Sequence, residues 1–177
     1  MKILIANLGS TSFKYRLFDV SAETDTSGDE RELARGGVER IGSQESRVYA
    51  SLDNEAAQAN QIETIQPVPD HGVALEAAIT QLTAAGGPLS SIADVAAIGF
   101  KAVHGGKAGG VVHVNNSVLD AMEEMAEVAP AHNPPYVKAM KQLAERFPNV
   151  PLIAAFETAF HSTIPERNAR YAVPTEW

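Results

Sequence analysis

The first twenty residues contain two apolar segments joined by a short polar stretch. Residues 3–6 are Ile, Leu, Ile and Ala, and after the polar residues 7–12 the chain continues with alternating apolar and polar side chains over residues 13–18. Alternation with a period of two is typical of a strand with one buried face, and small polar residues between two such segments predict a tight turn. We therefore predict an amino-terminal β-hairpin, around which the rest of the chain is organised.

The turn of this hairpin carries the residue types that bind an anion. Gly9 lets a ligand approach the backbone closely, and hydroxyl, amide and ammonium groups surround it. These polar side chains are Asn7, Ser10, Thr11, Ser12 and Lys14. Such a set can converge on a phosphate. A polar hairpin turn that binds nothing explains the same residues equally well, so the turn by itself leaves both hypotheses open.

Composition narrows the possible partners. The chain has 177 residues, 45% of them hydrophobic, which is enough for one substantial core and most simply a single domain. A net charge of -8 and the lack of a long basic cluster argue against binding to nucleic acid or to an anionic membrane. The chain has no cysteine, and we expect neither a signal peptide, since the apolar run at its start is too short, nor a membrane-spanning segment. The lack of cysteine suits a cytoplasmic protein.

The spacing of the apolar residues predicts the order of the elements. Strands are predicted at residues 33–41, 46–52, 62–68, 95–103 and 150–156. Helices are predicted at 70–85, from 117 to before Pro130, and from the turn at 131–135 onwards. The polar, acidic residues 21–32 are expected to be an exposed connection. Antiparallel strands followed by helices that alternate with strands favour an α/β fold: a mixed sheet of ribonuclease H type with flanking helices.

Each predicted helix has one apolar face. The inward residues are Leu75, Ala78, Ile79, Leu82 and Ala85 in the first, Val118, Met122 and Met125 in the second, and Val137, Met140, Ala144 and Phe147 in the third. The second helix is expected to start at Ser117, whose spacing to Asp120 resembles a capping box.

Polar residues follow several of these elements, at the positions where ligands gather in open α/β sheets. Lys101, near the end of strand 95–103, is either a buried cation that binds a carboxylate or phosphate, or an edge residue that extends to solvent. His104 precedes two glycines and is expected to be a turn histidine. His132, before Asn133-Pro134-Pro135, either donates to an anion or caps a helix.

Glu157 follows the last predicted strand directly. With His161 it has the i,i+4 spacing of a metal pair on a helix, but there is no HExxH pattern and no third ligand, so zinc is not expected. A carboxylate in this place can instead orient a magnesium ion through water. The chain contains neither a P-loop lysine motif nor a GxGxxG fingerprint, so a bound nucleotide would need another kind of site.

Six segments, in order along the chain, resemble the amino-terminal half of the acetate kinase family, which belongs to the superfamily of sugar kinases, actin and heat-shock chaperones. The matching segments are residues 7–12 with Lys14 and 17–19, then 38–42, 103–106, 129–134, 156–161 and 171–174. No single segment would suffice, but six matches in the same order make a specific resemblance.

The resemblance implies a phosphotransferase with an actin-like ATPase fold. Its cofactors would be ATP and Mg²⁺, and it would move the γ-phosphoryl group to acetate or a similar short carboxylic acid, giving an acyl phosphate. Carried over by motif, the implied roles are Glu157 and His132 in catalysis, Lys101 and Val103 at the carboxylate substrate, Ser10, Ser12 and Lys14 at the nucleotide phosphates, and Asn7 at the metal.

Two departures from the family pattern fall on residues with implied roles. Lys101 stands where the family has an arginine, and Glu157 where its FDTAFH motif has an aspartate; Phe100 replaces a histidine. Lysine keeps the charge but loses the planar fork of arginine. Glutamate moves its carboxylate outward by one methylene, and a misplacement of ~1 Å can cost on the order of a hundredfold in rate. A non-catalytic phosphate- or ligand-binding domain that kept the fold is therefore the alternative.

The family also has a second lobe, which supplies the adenosine pocket. The resemblance makes residues 1–177 the amino-terminal lobe, without that nucleotide-binding partner. We expect such a lobe to be inactive in isolation, and we expect a homodimer only where the second lobe is present.

Overall fold

The structure of this chain is a computed structural model that describes residues 1–20, 30–53 and 60–174. Its strands form one sheet. They are β1 (Lys2–Leu8), β2 (Ser12–Val20), β3 (Glu30–Glu39), β4 (Ser46–Leu52), β5 (Asn60–Gln66), β6 (Val95–Ala102), β7 (Val111–His113) and β8 (Leu152–Phe156). The helices are α1 (His71–Leu82), α2 (Asn116–Glu124), α3 (Asn133–Arg146) and α4 (Glu166–Ala169), with short 3₁₀ turns at Ile92–Asp94 and Glu157–His161.

The sheet is mixed, with the strand order β5-β4-β3-β2-β1-β6-β8-β7. Strands β1 to β5 form an antiparallel meander, β6 is parallel to β1, β8 is parallel to β6, and β7 runs antiparallel to β8. Because β1, β6 and β8 point the same way, their carboxyl ends meet at one edge of the sheet. The hairpin turn, Lys101 and Glu157 all lie at or next to that edge.

One face of the sheet carries the core. Alternate residues of β1 and β2 are fully or nearly buried: Leu4, Ala6, Leu8, Phe13, Tyr15 and Leu17. Helix α1 contacts β2, β3 and β4, α3 contacts α1 and β1, and α2 contacts α3. The residues between the buried ones point to the opposite face, where Ile5 is 42% exposed and Asn7, Lys14 and Arg16 are exposed. This alternation is what places polar side chains of β1 and β2 beside each other.

The predicted fold class, an α/β mixed sheet with flanking helices, is confirmed. The predicted connection at residues 21–32 is wrong at its end, because Arg31 and Glu32 pair with Asp19 and Phe18 within β3; residues 21–29 lie outside the described residues. The edge strand β7 was not predicted, since its three residues give no measurable period. Strand β5 ends at Gln66, before the two prolines that cannot donate to a ladder.

The helix starts and faces also need correction. Asn115, not Ser117, caps α2: its Oδ1 accepts from the Val118 backbone N–H at 3.0 Å. Ala85 lies beyond the end of α1 and is exposed. On α3, Ala144 is exposed and Leu143 is fully buried. The buried face of α3 is wider than the predicted stripe because this helix packs against both α1 and β1.

Candidate functional site

The turn between β1 and β2 is held tightly by the chain itself. The Gly9 N–H donates to the Ser12 carbonyl oxygen at 2.7 Å. A Cβ at position 9 would lie 2.5 Å from Ser12 Oγ, which is closer than real Cβ contacts, so the hydroxyl of Ser12 occupies space that only glycine leaves open.

Three carbonyl oxygens of the turn are engaged in hydrogen bonds. Ser12 O accepts from Gly9 N, Thr11 O accepts from the Ile41 N–H at 2.9 Å, and Gly9 O lies 2.8 Å from His71 Nε2. The N–H groups of Ser10 and Thr11 have no hydrogen-bond partner within residues 1–20, 30–53 and 60–174. Among the described residues, the turn therefore has exposed residues with unpaired N–H donors, while three of its carbonyl acceptors are engaged, which is the polarity that an anion requires.

Asn7 and Lys14 lie directly opposite each other on β1 and β2, one step before the turn. Both are exposed, and Lys14 makes no ion pair with any residue that the structure describes. On the same sheet face, by contrast, the guanidinium of Arg16 lies 3.5 Å from Glu32 Oε2. Within the described part of the chain, Lys14 is thus a positive charge without an ion-pair partner beside the donors of the turn.

Lys101 and Glu157 form an ion pair at the carboxyl ends of β6 and β8. Lys101 Nζ lies 2.9 Å from Glu157 Oε1, and the two side chains are 50% and 49% exposed. The hydrogen bond to Glu157 raises the pKa of Lys101 above its ordinary value. The idea of a buried Lys101 cation is therefore wrong: the ammonium is half exposed and is neutralised by its neighbour.

Tyr136 also belongs to this group, although no motif in the sequence pointed to it. Its hydroxyl donates to Asn7 Oδ1 at 3.3 Å, and the residue is 3% exposed. Burial raises the pKa of Tyr136, the Lys101 ammonium lowers it, and the Glu157 carboxylate raises it. A tyrosine in an apolar helix face, one turn after the helix start, could have been noticed, because a buried tyrosine hydroxyl usually finds a polar partner.

The other candidates lie around these groups. His132 is the N-cap residue of α3, but its exposed side chain makes no capping hydrogen bond, so the capping hypothesis is wrong. Val103 is half-buried, directly after β6. His104 Nδ1 accepts from the Gly106 N–H at 3.0 Å, as expected for a turn histidine. Asn133 fixes this loop, because its Nδ2 donates to the carbonyl oxygens of His104 and Met122, each at 2.8 Å.

The described part of the chain contains no group of three or more His, Asp or Glu side chains placed to hold a metal ion. Glu157 and His161 lie on a 3₁₀ turn rather than an α-helix, so the helical i,i+4 geometry of a metal pair is not formed. None of the described helices is both long enough and apolar enough to cross a bilayer.

Comparison with known proteins gives one consistent result. The model of the acetokinase family matches residues 2–177. An acetate kinase of Carboxydothermus hydrogenoformans is 38% identical over 179 residues, which cover 100% of this chain and 42% of that protein. An acetate kinase of Bacillus anthracis is 38% identical over 177 residues, or 99% of this chain and 41% of that protein.

Solved structures agree with the sequence relatives. An acetate kinase of Porphyromonas gingivalis superposes with a TM-score of 0.84 at 30% identity, over 99% of this chain and 42% of that one. A propionate kinase of Francisella tularensis gives 0.77 at 27% identity, over 99% and 41%. The chain spans about two fifths of the length of the relatives that it matches.

Proposed function

This chain belongs to the acetokinase family, and we propose that it is the amino-terminal lobe of a kinase that phosphorylates acetate or a similar short carboxylic acid. In this reaction a carboxylate oxygen forms a bond to the γ-phosphorus of ATP, the bond to ADP breaks, and an acyl phosphate results. The observation that carries the proposal is the hairpin turn, whose N–H groups at Ser10 and Thr11, like the adjacent ammonium of Lys14, have no partner among the residues that the structure describes.

The phosphate side of the site is the turn. The hydroxyls of Ser10 and Ser12 and the ammonium of Lys14 would bind phosphate oxygens of the nucleotide. Phosphoryl transfer depends mostly on positioning and on the neutralisation of charge on non-bridging oxygens, so fixed donors here supply what the reaction needs. The tight bond between Gly9 N and Ser12 O favours this role because it holds the donors in place before a ligand arrives.

The carboxylate side lies at the ends of β6 and β8. Lys101 would bind the substrate carboxylate, and half-buried Val103 would line the pocket that holds it. Glu157 would be a catalytic residue next to Lys101. Because Lys101 is paired with Glu157, a substrate carboxylate has to share or displace that contact. The family motif at residues 129–134 assigns His132 the role of donor to the transferring phosphoryl group, and its exposed side chain, which makes no capping hydrogen bond, is available for that role.

The residues present fit Mg²⁺, which keeps several waters and binds through one or two protein groups together with phosphate oxygens. The half-exposed Glu157 carboxylate and the exposed Asn7 amide, whose oxygen keeps a second lone pair beside Tyr136, are suitable donors. When bound, magnesium and ATP supply charge neutralisation and the phosphoryl group. The residues of this chain orient the oxygens and keep the carboxylate next to them.

The Lys101–Glu157 pair also supports the alternative, a non-catalytic phosphate- or ligand-binding domain. A lysine that is already neutralised by a neighbour attracts a substrate carboxylate less strongly than a free one. In that case the turn would still bind phosphate while the carboxylate side would be inert. A third hypothesis is a kinase whose substrate is another short carboxylic acid. Assaying a panel of carboxylic acids with a two-lobed protein would identify the substrate.

The first experiment measures ligand binding by the 177-residue chain. Phosphate or acetyl phosphate should raise its melting temperature, because a ligand that binds only the native state stabilises it. Lys14→Ala should weaken binding by roughly tenfold, the effect of losing a charge-assisted hydrogen bond. Arg16→Ala, which removes a neighbouring cation already paired with Glu32, should leave the affinity unchanged.

The same chain should form no acetyl phosphate in a coupled assay with ATP and acetate. Measurable turnover would disprove the proposal that a second lobe is required. Equal loss of binding in Lys14→Ala and Arg16→Ala would show only general attraction to a basic surface, and no stabilisation at all would remove the turn as a phosphate site.

A further inference from the structure

We propose that His71 is a positioning residue for the hairpin turn, which holds the Gly9 carbonyl oxygen away from a bound phosphate. This inference rests on the proposed function of the turn as the phosphate side of the site. His71 is the first residue of α1 and is only 8% exposed. Its Nε2 lies 2.8 Å from Gly9 O, although the two residues are 62 positions apart in sequence.

The direction of this hydrogen bond is fixed by the acceptor. A carbonyl oxygen has no proton to give, so the proton must be on His71 Nε2. The contact therefore requires a proton on Nε2, and the Gly9 oxygen receives a donor that the backbone does not provide.

The position of that oxygen affects how the turn binds an anion. A carbonyl oxygen facing the ligand would place a partial negative charge next to the phosphate. Thr11 O and Ser12 O are held by backbone N–H groups, whereas Gly9 O is held by a side chain. Of these three acceptors, Gly9 O is therefore the one whose orientation a single substitution can release.

The start of α1 does not depend on His71. The Asp70 carboxylate caps this helix by accepting from the Val73 N–H at 2.8 Å. Loss of the cap removes a hydrogen bond of α1 and none of the turn, whereas loss of the imidazole removes a hydrogen bond of the turn and leaves the cap in place. Asp70→Ala is therefore a matched control that separates a general loss of stability from a change in the turn.

The experiment titrates inorganic phosphate into the ¹⁵N-labelled chain and follows the amide signals of Ser10 and Thr11. His71→Gln keeps an N–H donor at the corresponding position, and His71→Leu keeps the bulk without a donor. We expect wild type, Asp70→Ala and His71→Gln to bind with similar affinity. His71→Leu should bind roughly tenfold more weakly, the fold-change expected for one net hydrogen bond.

Wild-type affinity in His71→Leu would overturn the inference, and so would an equal loss in Asp70→Ala, which would indicate a merely structural role. If phosphate does not shift Ser10 and Thr11 in the wild-type chain, the proposed function of the turn fails before any variant is compared, and the inference fails with it.

A measurement on the wild-type chain covers the case in which His71→Leu does not fold. The ring ¹⁵N shifts at mildly alkaline pH report which nitrogen of His71 carries the proton. A proton on Nε2 supports the inference, and a proton on Nδ1 contradicts it because that tautomer cannot donate to Gly9 O.

Discussion

The side chains at the sheet edge show how neighbours change what a residue can do. Lys14 and Lys101 are both exposed lysines next to polar segments, yet Lys14 is free within the described part of the chain and Lys101 is neutralised by Glu157. The phosphate side and the carboxylate side of the proposed site therefore differ in charge. The unpaired ammonium of Lys14 attracts an anion directly. The ammonium of Lys101 can bind a substrate carboxylate strongly only if its ion pair with Glu157 rearranges.

Tyr15 gives a prediction about stability at the scale of one atom. Its hydroxyl is buried without a hydrogen-bond partner among the described residues. An unsatisfied buried hydroxyl costs about 1 kcal/mol or more. Tyr15→Phe should therefore raise the free energy of unfolding by about 1 kcal/mol, measured by urea denaturation at neutral pH. A loss of stability of similar size would show that the hydroxyl is satisfied.

The same residue predicts a pH dependence. Burial, with a smaller contribution from Tyr49, raises the pKa of Tyr15 above its ordinary value. A raised pKa in the folded state means that the contribution to stability is complete below the pKa of the unfolded chain, about 10, and falls as pH rises above it. Wild type should lose stability more steeply than Tyr15→Phe above that pH.

At the scale of elements, β2, β3 and β4 fit together because glycines lie between two tyrosines. Gly36 pairs with Tyr15 on β2 and with Ala50 on β4. A Cβ at Gly36 would collide with the Tyr49 carbonyl oxygen and lie 2.5 Å from the Tyr15 hydroxyl. Two adjacent glycines weaken a strand by propensity alone, so close packing is the physical reason for their presence here.

Gly36→Ala should therefore destabilise the chain by roughly 3 kcal/mol, as overpacking of a close backbone contact does. Gly109→Ala is the matched control, since nothing lies within 4 Å of its added Cβ. Its stability should be unchanged or slightly higher. Thermal unfolding of the two variants compares them directly, and similar melting temperatures would show that β3 and β4 separate at little cost.

At the scale of the whole molecule, the proposed site has donors on one side only. The hairpin turn, Lys14, Lys101 and Glu157 all come from the edge of one sheet, and the chain spans about two fifths of the length of its relatives. A transferring phosphoryl group carries negative charge on several oxygens that point in different directions. Donors on one side of it therefore leave part of this charge to be stabilised by water alone. This is the physical reason to expect that turnover requires a second lobe.

In a two-lobed protein that contains this chain, Lys101→Ala and Glu157→Ala should each lower kcat/KM by roughly a hundredfold, because each removes a positioned charge. Lys141→Ala and Glu123→Ala are matched controls: they break an ion pair of 2.6 Å between side chains that are 46% and 51% exposed, on α3 and α2. Unchanged rates in the first two variants would remove both residues from the site.

The sequence by itself determined the hairpin, the meander, the α/β class and the family. These follow from local periodicity and from short motifs, which can be recognised without knowing which distant residues are in contact. Predictions from the sequence are wrong or missing where the local pattern is short or where two patterns compete. The examples are β7, the start of β3 and the N-cap of α2.

Only the tertiary structure decided which groups meet. Tyr136 and Asn7, Lys101 and Glu157, and His71 and Gly9 are brought together by strand order and helix packing, across separations of 129, 56 (157 minus 101) and 62 positions. The sequence supplied the turn and its donors, but the Gly9 carbonyl oxygen is held by His71 of α1, a helix that contacts β2 of the hairpin in the folded chain.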